Sequence, residues 1–168
     1  MRSPENVVEE MKYVSEELPE VKEIFFDGID DASPAPQVIQ AIETAEHVII
    51  APSNPFVSIG PILSVQGVMN SLCYTHARVT AISPIVGGAA VKGPAARMMS
   101  DLHHEVSALG VSRIYQELLD IMIIDEQDKH LKNEIEKLGI RVVVCDTIMS
   151  SLQKKIDLSN IVLRALEV

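Results

Sequence analysis

Apolar positions recur at helical spacing from the start of the chain, where Val7, Val8, Met11, Val14 and Leu18 share one side of the wheel and Glu9, Glu10, Glu16 and Glu17 lie largely elsewhere. Residues 1–18 are therefore read as an N-terminal amphipathic helix, ended by Pro19. Residues 21–26 then read as a short, partly buried strand closing in the turn pair Asp27-Gly28. After a loop carrying Pro34 and Pro36, the positions Val38, Ile39, Ala41, Ile42 and Ala45 form the buried stripe of a helix ending near Glu46. His47-Val48-Ile49-Ile50-Ala51, bounded by Pro52, has the pattern of a central parallel strand covered on both faces. Pro61 suits a first helical turn, and Ile62, Leu63, Val65, Val68, Met69 and Leu72 continue that helix.

Residues 78–83 give the next strand, and a glycine-rich loop over 84–93 leads into a helix starting near Pro94. Residues 106–109 with Gly110 read as a short helix and its stop, and 111–119 as another helix. A strand over 121–124 ends at Asp125, a charged helix over 127–138 stops at Gly139, and 140–144 is the last strand. Ser159 is placed as the cap of a final helix running through Leu166. Alternation of this kind specifies an α/β domain over residues 1–168, an open, mostly parallel, Rossmann-like sheet of about five strands with helices on both faces and right-handed crossovers.

Composition narrows the function. The 168 residues are 47% hydrophobic and 23% charged, as in ordinary globular proteins. No run approaches the roughly 18 consecutive apolar residues of a membrane span, so a soluble protein is expected. With 4% aromatic residues and no Trp, a stacking platform for single-stranded nucleic acid is disfavoured. The net charge of −10 argues against a general phosphate-backbone footprint and against anionic membranes, though a local anion site built by backbone amides stays compatible with it. Cys73 and Cys145 lie far apart with no metal or redox spacing and read as buried free thiols. The N-terminus lacks an apolar signal core, so the expected location is cytoplasmic.

Ligands of such sheets bind outside the carboxyl ends of the strands, beside the point where strand order reverses. At the first strand end, Ser53, Asn54 and Ser58 supply hydroxyl and amide groups, and Gly60 and Pro61 open a helix, which together suit a phosphate cradle. The same residues also suit an Asx-type turn and a helix cap. At the second, Ser83, the pair Gly87-Gly88 and Lys92 form an anion-competent loop, or a tight βα turn, but not a Walker motif. The later ends carry Asp125 to Asp128 and Asp146-Thr147, carboxylates suited to Mg²⁺ or a ribose hydroxyl, with helix capping as the rival role, favoured for Asp128. His103-His104-Glu105 do not converge on one point and are not read as a metal site, and Arg97 and Arg113 read as outlying or solvated charge. No Ser-His-Asp, Cys-His or GxSxG arrangement appears, so covalent nucleophilic catalysis is disfavoured and catalysis would rest on positioning and electrostatics.

The run from Ala51 to Leu63, then Ala81 to Gly88 with Lys92-Gly93-Pro94-Ala95, Leu109-Gly110-Val111 with Tyr115, Asp125 to Asp128, and Asp146-Thr147-Ile148-Met149 resemble the 2-phospho-L-lactate transferase family in order and spacing across most of residues 20–166. The resemblance implies transfer of a phospholactyl or phosphoenolpyruvyl group from a guanosine-diphosphate-linked donor to a deazaflavin precursor, with release of GMP and use of Mg²⁺, in coenzyme F-420 biosynthesis. It implies that Ser53, Asn54, Ser58, Gly60, Ser83, Gly87, Gly88 and Lys92 form the phosphate and nucleotide side of the site. Members of that family are nearly twice as long, and their other half carries a Gly-Gly-Thr-Gly loop together with an Asp and a Lys for the deazaflavin. The chain thus resembles the C-terminal half, incomplete for activity alone, with an open sheet edge that favours an oligomer or pairing with an N-terminal half. The rival expectation is a non-catalytic guanine-nucleotide-binding or assembly module.

Overall fold

The structure is a computed structural model that describes residues 19–167. The amphipathic helix read over 1–18 lies outside the described residues. Its centre is a parallel sheet of β1 (His47–Ile50), β2 (Arg78–Ile82), β5 (Ile121–Asp125) and β6 (Arg141–Cys145), in the spatial order β1-β2-β5-β6. A two-stranded antiparallel hairpin, β3 (Ile85–Val86) with β4 (Ala89–Ala90), stands beside it. The helices are α1 (Val38–Thr44), α2 (Gly60–Ser64), α3 (Val68–Tyr74), α4 (Ala95–Asp101), α5 (Ala108–Ile114), α6 (Lys132–Glu136) and α7 (Leu152–Leu166).

Each crossover steps the same way along this sheet, so right-handed connections put the linking helices on one face. The burial pattern agrees. Val79, Ala81, Met122, Ile124 and Val142 face a large core with Val68, Leu72, Met99, Val111 and Ile135 from those helices. The alternate residues Ile82, Ile121, Ile123 and Cys145 face α7 through Leu158, Val162 and Leu166. Helices therefore cover both faces, as expected of an α/β sheet, but no reversal of strand order occurs among the described strands.

Several local expectations are corrected. Residues 21–26 form no strand: Phe25 is 79% exposed, and the Val21 N–H goes to the Asp101 carboxylate at 3.1 Å instead of to a ladder. Among the described residues the sheet thus has four strands, not five. The helix begun at Pro61 breaks at residues 65–67, where Gly67 takes φ 87° before α3. The segment read as one helix over 127–138 is instead a 3-10 turn, Glu126–Leu131, followed by α6. The final helix starts at Leu152, seven residues before Ser159, because Ser151 is the true N-cap and accepts from the Lys154 N–H; the Ser159 hydroxyl bonds back to the Lys155 carbonyl. Of the two thiols, Cys145 is buried but Cys73 is exposed.

Gly110 is the most informative correction. It is no helix stop but lies inside α5, after the Ser107 cap, and a Cβ there would collide with the Glu105 carbonyl oxygen and lie 3.0 Å from Met99 Cε. Glycine is required because backbone runs directly against it. Gly110→Ala should lower stability by about 2–3 kcal/mol, the cost typical of overpacking against atoms that cannot move aside, measured by urea denaturation. A loss under about 0.5 kcal/mol, the scale of a neutral surface change, would contradict this packing.

Candidate functional site

A crevice of about 920 Å³ opens at the carboxyl ends of the strands, between the segment after β1, the end of β2, the stretch after β4 and the segment after β6. After β1 the chain enters a π-helical turn, Pro55–Ile59, whose cap is Asn54. The Asn54 Oδ1 accepts from Phe56 N–H at 2.9 Å and Val57 N–H at 3.3 Å, while Nδ2 points at Met98 Sδ, 3.4 Å away. Its side chain is spent on the turn. The turn presents Ser53 and Ser58 to the crevice, and neither hydroxyl has a hydrogen-bond partner among the described residues. Gly60 lies behind the turn, where an added Cβ would stand 3.1 Å from the Pro55 carbonyl and 3.3 Å from the Phe26 ring. Close packing, not ligand approach, requires that glycine.

At the end of β2, buried Ser83 closes its own turn, donating to the Ile85 carbonyl at 2.8 Å and accepting from the Ile85 N–H at 3.1 Å. Gly87 and Gly88, with φ 58° and 77°, form the two-residue turn of the β3–β4 hairpin, a conformation suited to glycine. The Gly87 N–H is held by both carboxylate oxygens of Asp128, at 3.2 and 3.1 Å. The glycine pair does not line the crevice. Lys92, Gly93 and Pro94, beyond the hairpin, do.

The remaining wall comes from residues 147–150 and Lys155, and its position depends on Asp125. The register sets Asp125 level with Cys145, so a chain leaving β6 can fold back within two residues. Asp125 accepts from Thr147 N–H at 2.9 Å, Thr147 Oγ1 at 3.1 Å and Gln127 N–H at 3.1 Å. Burial alone would raise this carboxyl, yet the hydrogen bonds from Thr147 and Gln127 hold it below the ordinary carboxylate range. Asp146 is engaged elsewhere, on Lys154 Nζ at 2.6 Å and the Ile148 N–H at 2.9 Å, and the lysine contact leads in holding its carboxyl below the ordinary carboxylate range. Burial, aided by Asp125, Asp146 and Glu126, pushes the Cys145 thiol up to about 11, so it stays protonated.

These engagements decide what the carboxylates can hold. Among the described residues no three of His, Cys, Asp and Glu cluster as metal ligands, and both strand-end aspartates are committed to protein donors. The described residues do not themselves build a Mg²⁺ cage. Asp128, expected as an N-cap or first-turn acid, lies in the first turn after the Asp125 cap, and its carboxylate grips the hairpin. His104 tilts against Phe56 at 5.4 Å, Arg113 pairs with Glu105 at 2.6 Å, and Arg97 reaches Asp101 and the Pro19 carbonyl. Tyr115 is a core residue, its hydroxyl buried without a partner among the described residues.

The structure therefore brings Ser53, Asn54, Ser58, Ser83 and Lys92 to one crevice and leaves Gly60, Gly87 and Gly88 outside its lining. Sequence reasoning missed residues 148–150 and Lys155. Recognising Ser151 as the helix cap would have set Lys155 in the first turn beside a strand end, where it belongs.

Comparison with known proteins now becomes decisive, since the family model described as 2-phospho-L-lactate transferase CofD matches residues 3–162. The chain belongs to the 2-phospho-L-lactate transferase CofD family. It is 43% identical over 144 residues to the 2-phospho-L-lactate transferase of Methanosarcina barkeri, covering 86% of this chain and 46% of that protein. The enzyme of the same name from Methanothermobacter thermautotrophicus is 46% identical over 130 residues, covering 77% and 42%, and that of Methanocaldococcus jannaschii 37% over 141 residues, covering 84% and 44%. The chain thus spans a little under half the length of these CofD relatives. Among the described residues no single helix is long and apolar enough to cross a membrane.

Asp125→Ala strands the Thr147 N–H and hydroxyl, and should cost about 2–3 kcal/mol in denaturant titration at pH 7, as for lost hydrogen bonds to a buried charged group. A folded carboxyl that ionises below its unfolded counterpart contributes fully above the unfolded value of about 4 and loses that contribution as pH falls from there through its lower folded value. The variant should therefore lose less stability than the parent between about pH 5 and 2. Parallel stability-versus-pH curves would contradict the assigned role.

Proposed function

We propose that this chain supplies the nucleotide and phosphate side of a 2-phospho-L-lactate transferase site. The donor is a guanosine diphosphate whose terminal phosphate is esterified by lactate or enolpyruvate, so that this phosphate with its acid is the phospholactyl or phosphoenolpyruvyl group transferred, and the acceptor is a hydroxyl of a deazaflavin precursor. In the reaction the acceptor oxygen bonds to the phosphorus that carries the organic acid, the bond from that phosphorus to the bridging diphosphate oxygen breaks, GMP leaves, and the hydroxyl proton passes to solvent or base. Such a step depends on holding the diphosphate in line, which needs hydrogen-bond donors and fixed positive charge rather than a protein nucleophile.

The observation that carries the reading is the crevice itself. In a chain of net charge −10, the unengaged Ser53 and Ser58 hydroxyls and the lysines at 92 and 155 all line one space, while the nearby carboxylates are tied to protein donors. Family membership supports the same chemistry, because the relatives bear the name 2-phospho-L-lactate transferase. The acceptor side comes from a further polypeptide segment or a second chain, and the site works in the cytoplasm.

Isothermal titration tests this reading: GDP should bind with micromolar to submillimolar affinity, and the double change Ser53→Ala with Ser58→Ala should weaken it about tenfold, the scale of two lost hydrogen bonds to a charged group offset by water. No binding at millimolar GDP would refute it. Binding of GDP without transfer, even when a relative's remaining segment is supplied along with donor and deazaflavin precursor, would establish the rival nucleotide-binding module.

A further inference from the structure

Lysines 154 and 155 are adjacent but do different work. Lys154 Nζ is bound to Asp146 at 2.6 Å, outside the crevice lining, whereas Lys155 lines the crevice and has no ion-pair or hydrogen-bond partner for its Nζ among the described residues. Three acids around this wall are engaged by protein donors: Asp146 by Lys154, Asp125 by Thr147 and Gln127, and Asp157 by the Gln153 side chain. A lysine left without a protein counter-charge, on a wall held in place by a buried carboxylate, has its charge available to a ligand. A compact ammonium with three rotatable donors on a flexible stem suits a phosphoryl oxygen whose position shifts during a transfer. Lys92 supplies a second such group to the same space from the stretch after the hairpin.

We propose that Lys155, acting from the β6 wall together with Lys92, is an anion-binding residue that makes this crevice prefer a nucleoside diphosphate to a nucleoside monophosphate. The proposal rests on the guanosine-diphosphate reading above and extends it to a residue outside the serine and glycine loops. The second phosphate adds charge that one lysine and two hydroxyls do not balance, so the additional cation should act mainly on the diphosphate.

The test is titration of GDP and GMP into the parent chain and into Lys155→Gln and Lys155→Arg, at low and high salt, with circular dichroism confirming that each variant is folded. Lys155→Gln should weaken GDP about tenfold, equivalent to about 1.4 kcal/mol, weaken GMP less than about threefold, and flatten the salt dependence for GDP. Lys155→Arg should retain GDP binding to within about threefold, since charge is kept. GDP and GMP affected equally, or GDP unaffected by Lys155→Gln, would overturn the proposal. Should the parent bind no GDP, the reading of the site fails first, and inorganic pyrophosphate then decides the lysine alone: binding lost in Lys155→Gln upholds an anion site, and absent or unchanged binding overturns it.

Discussion

One turn of chain, entered at Asp125 and passing through Asp128, holds the surroundings of the crevice together. Both carboxylates are buried, and each is turned away from solvent onto a different loop: Asp125 onto the segment after β6, Asp128 onto the β3–β4 hairpin. Buried carboxylates are costly unless fully hydrogen-bonded, and this cost makes them specific, because each requires its loop to be in one place. Without Asp125 nothing else among the described bonds ties Thr147 back across β5, and the crevice loses a wall. Acidic residues at strand ends invite a metal-binding interpretation, yet here their oxygens are occupied by the protein.

The sheet topology explains why loops so far apart in sequence can meet. Four parallel strands end on one edge, and the order β1-β2-β5-β6 sets the loops after β1 and β2 side by side but puts β5 between β2 and β6. The return of residues 147–150 over the end of β5 closes that gap. Among the described residues crossover helices occupy one face and α7 serves the other, so the first turn of α7, which carries Lys155, lies next to the folded-back segment. Function thus enters through loops, on a scaffold whose buried strands are aliphatic and sulfur-containing apart from Thr80 and the terminal Asp125.

Much of this was legible in the sequence. The apolar runs read over 47–51, 78–83, 121–124 and 140–144 located all four strands, but the first, read as a central strand covered on both faces, is an edge strand of the described sheet with Ile49 45% exposed. The strand read over 21–26 failed because its alternation says nothing about whether an edge is available to pair with, and Val21 found a carboxylate instead. Glycines were the least transparent residues. Gly87 and Gly88 looked like a ligand loop but make a hairpin turn, Gly60 and Gly110 admit neighbouring atoms, and the sequence signature of all four roles is the same. Asn54 lines the crevice, yet its side chain is spent on the turn that presents the serines. The family-specific order of motifs was what pointed to phosphate chemistry; residue types alone left the turn-forming and ligand-binding roles equally open.

The central claim is that ligand enters between the turn after β1 and the segment after β6, and not at the glycine pair. Amide chemical-shift mapping of the isotope-labelled chain with GDP tests it most directly. The account predicts the largest shifts at Ser53, Ser58, Lys92 and residues 147–150, with Gly87 and Gly88 nearly unmoved. Shifts concentrated on Gly87 and Gly88, with residues 147–150 silent, would contradict it.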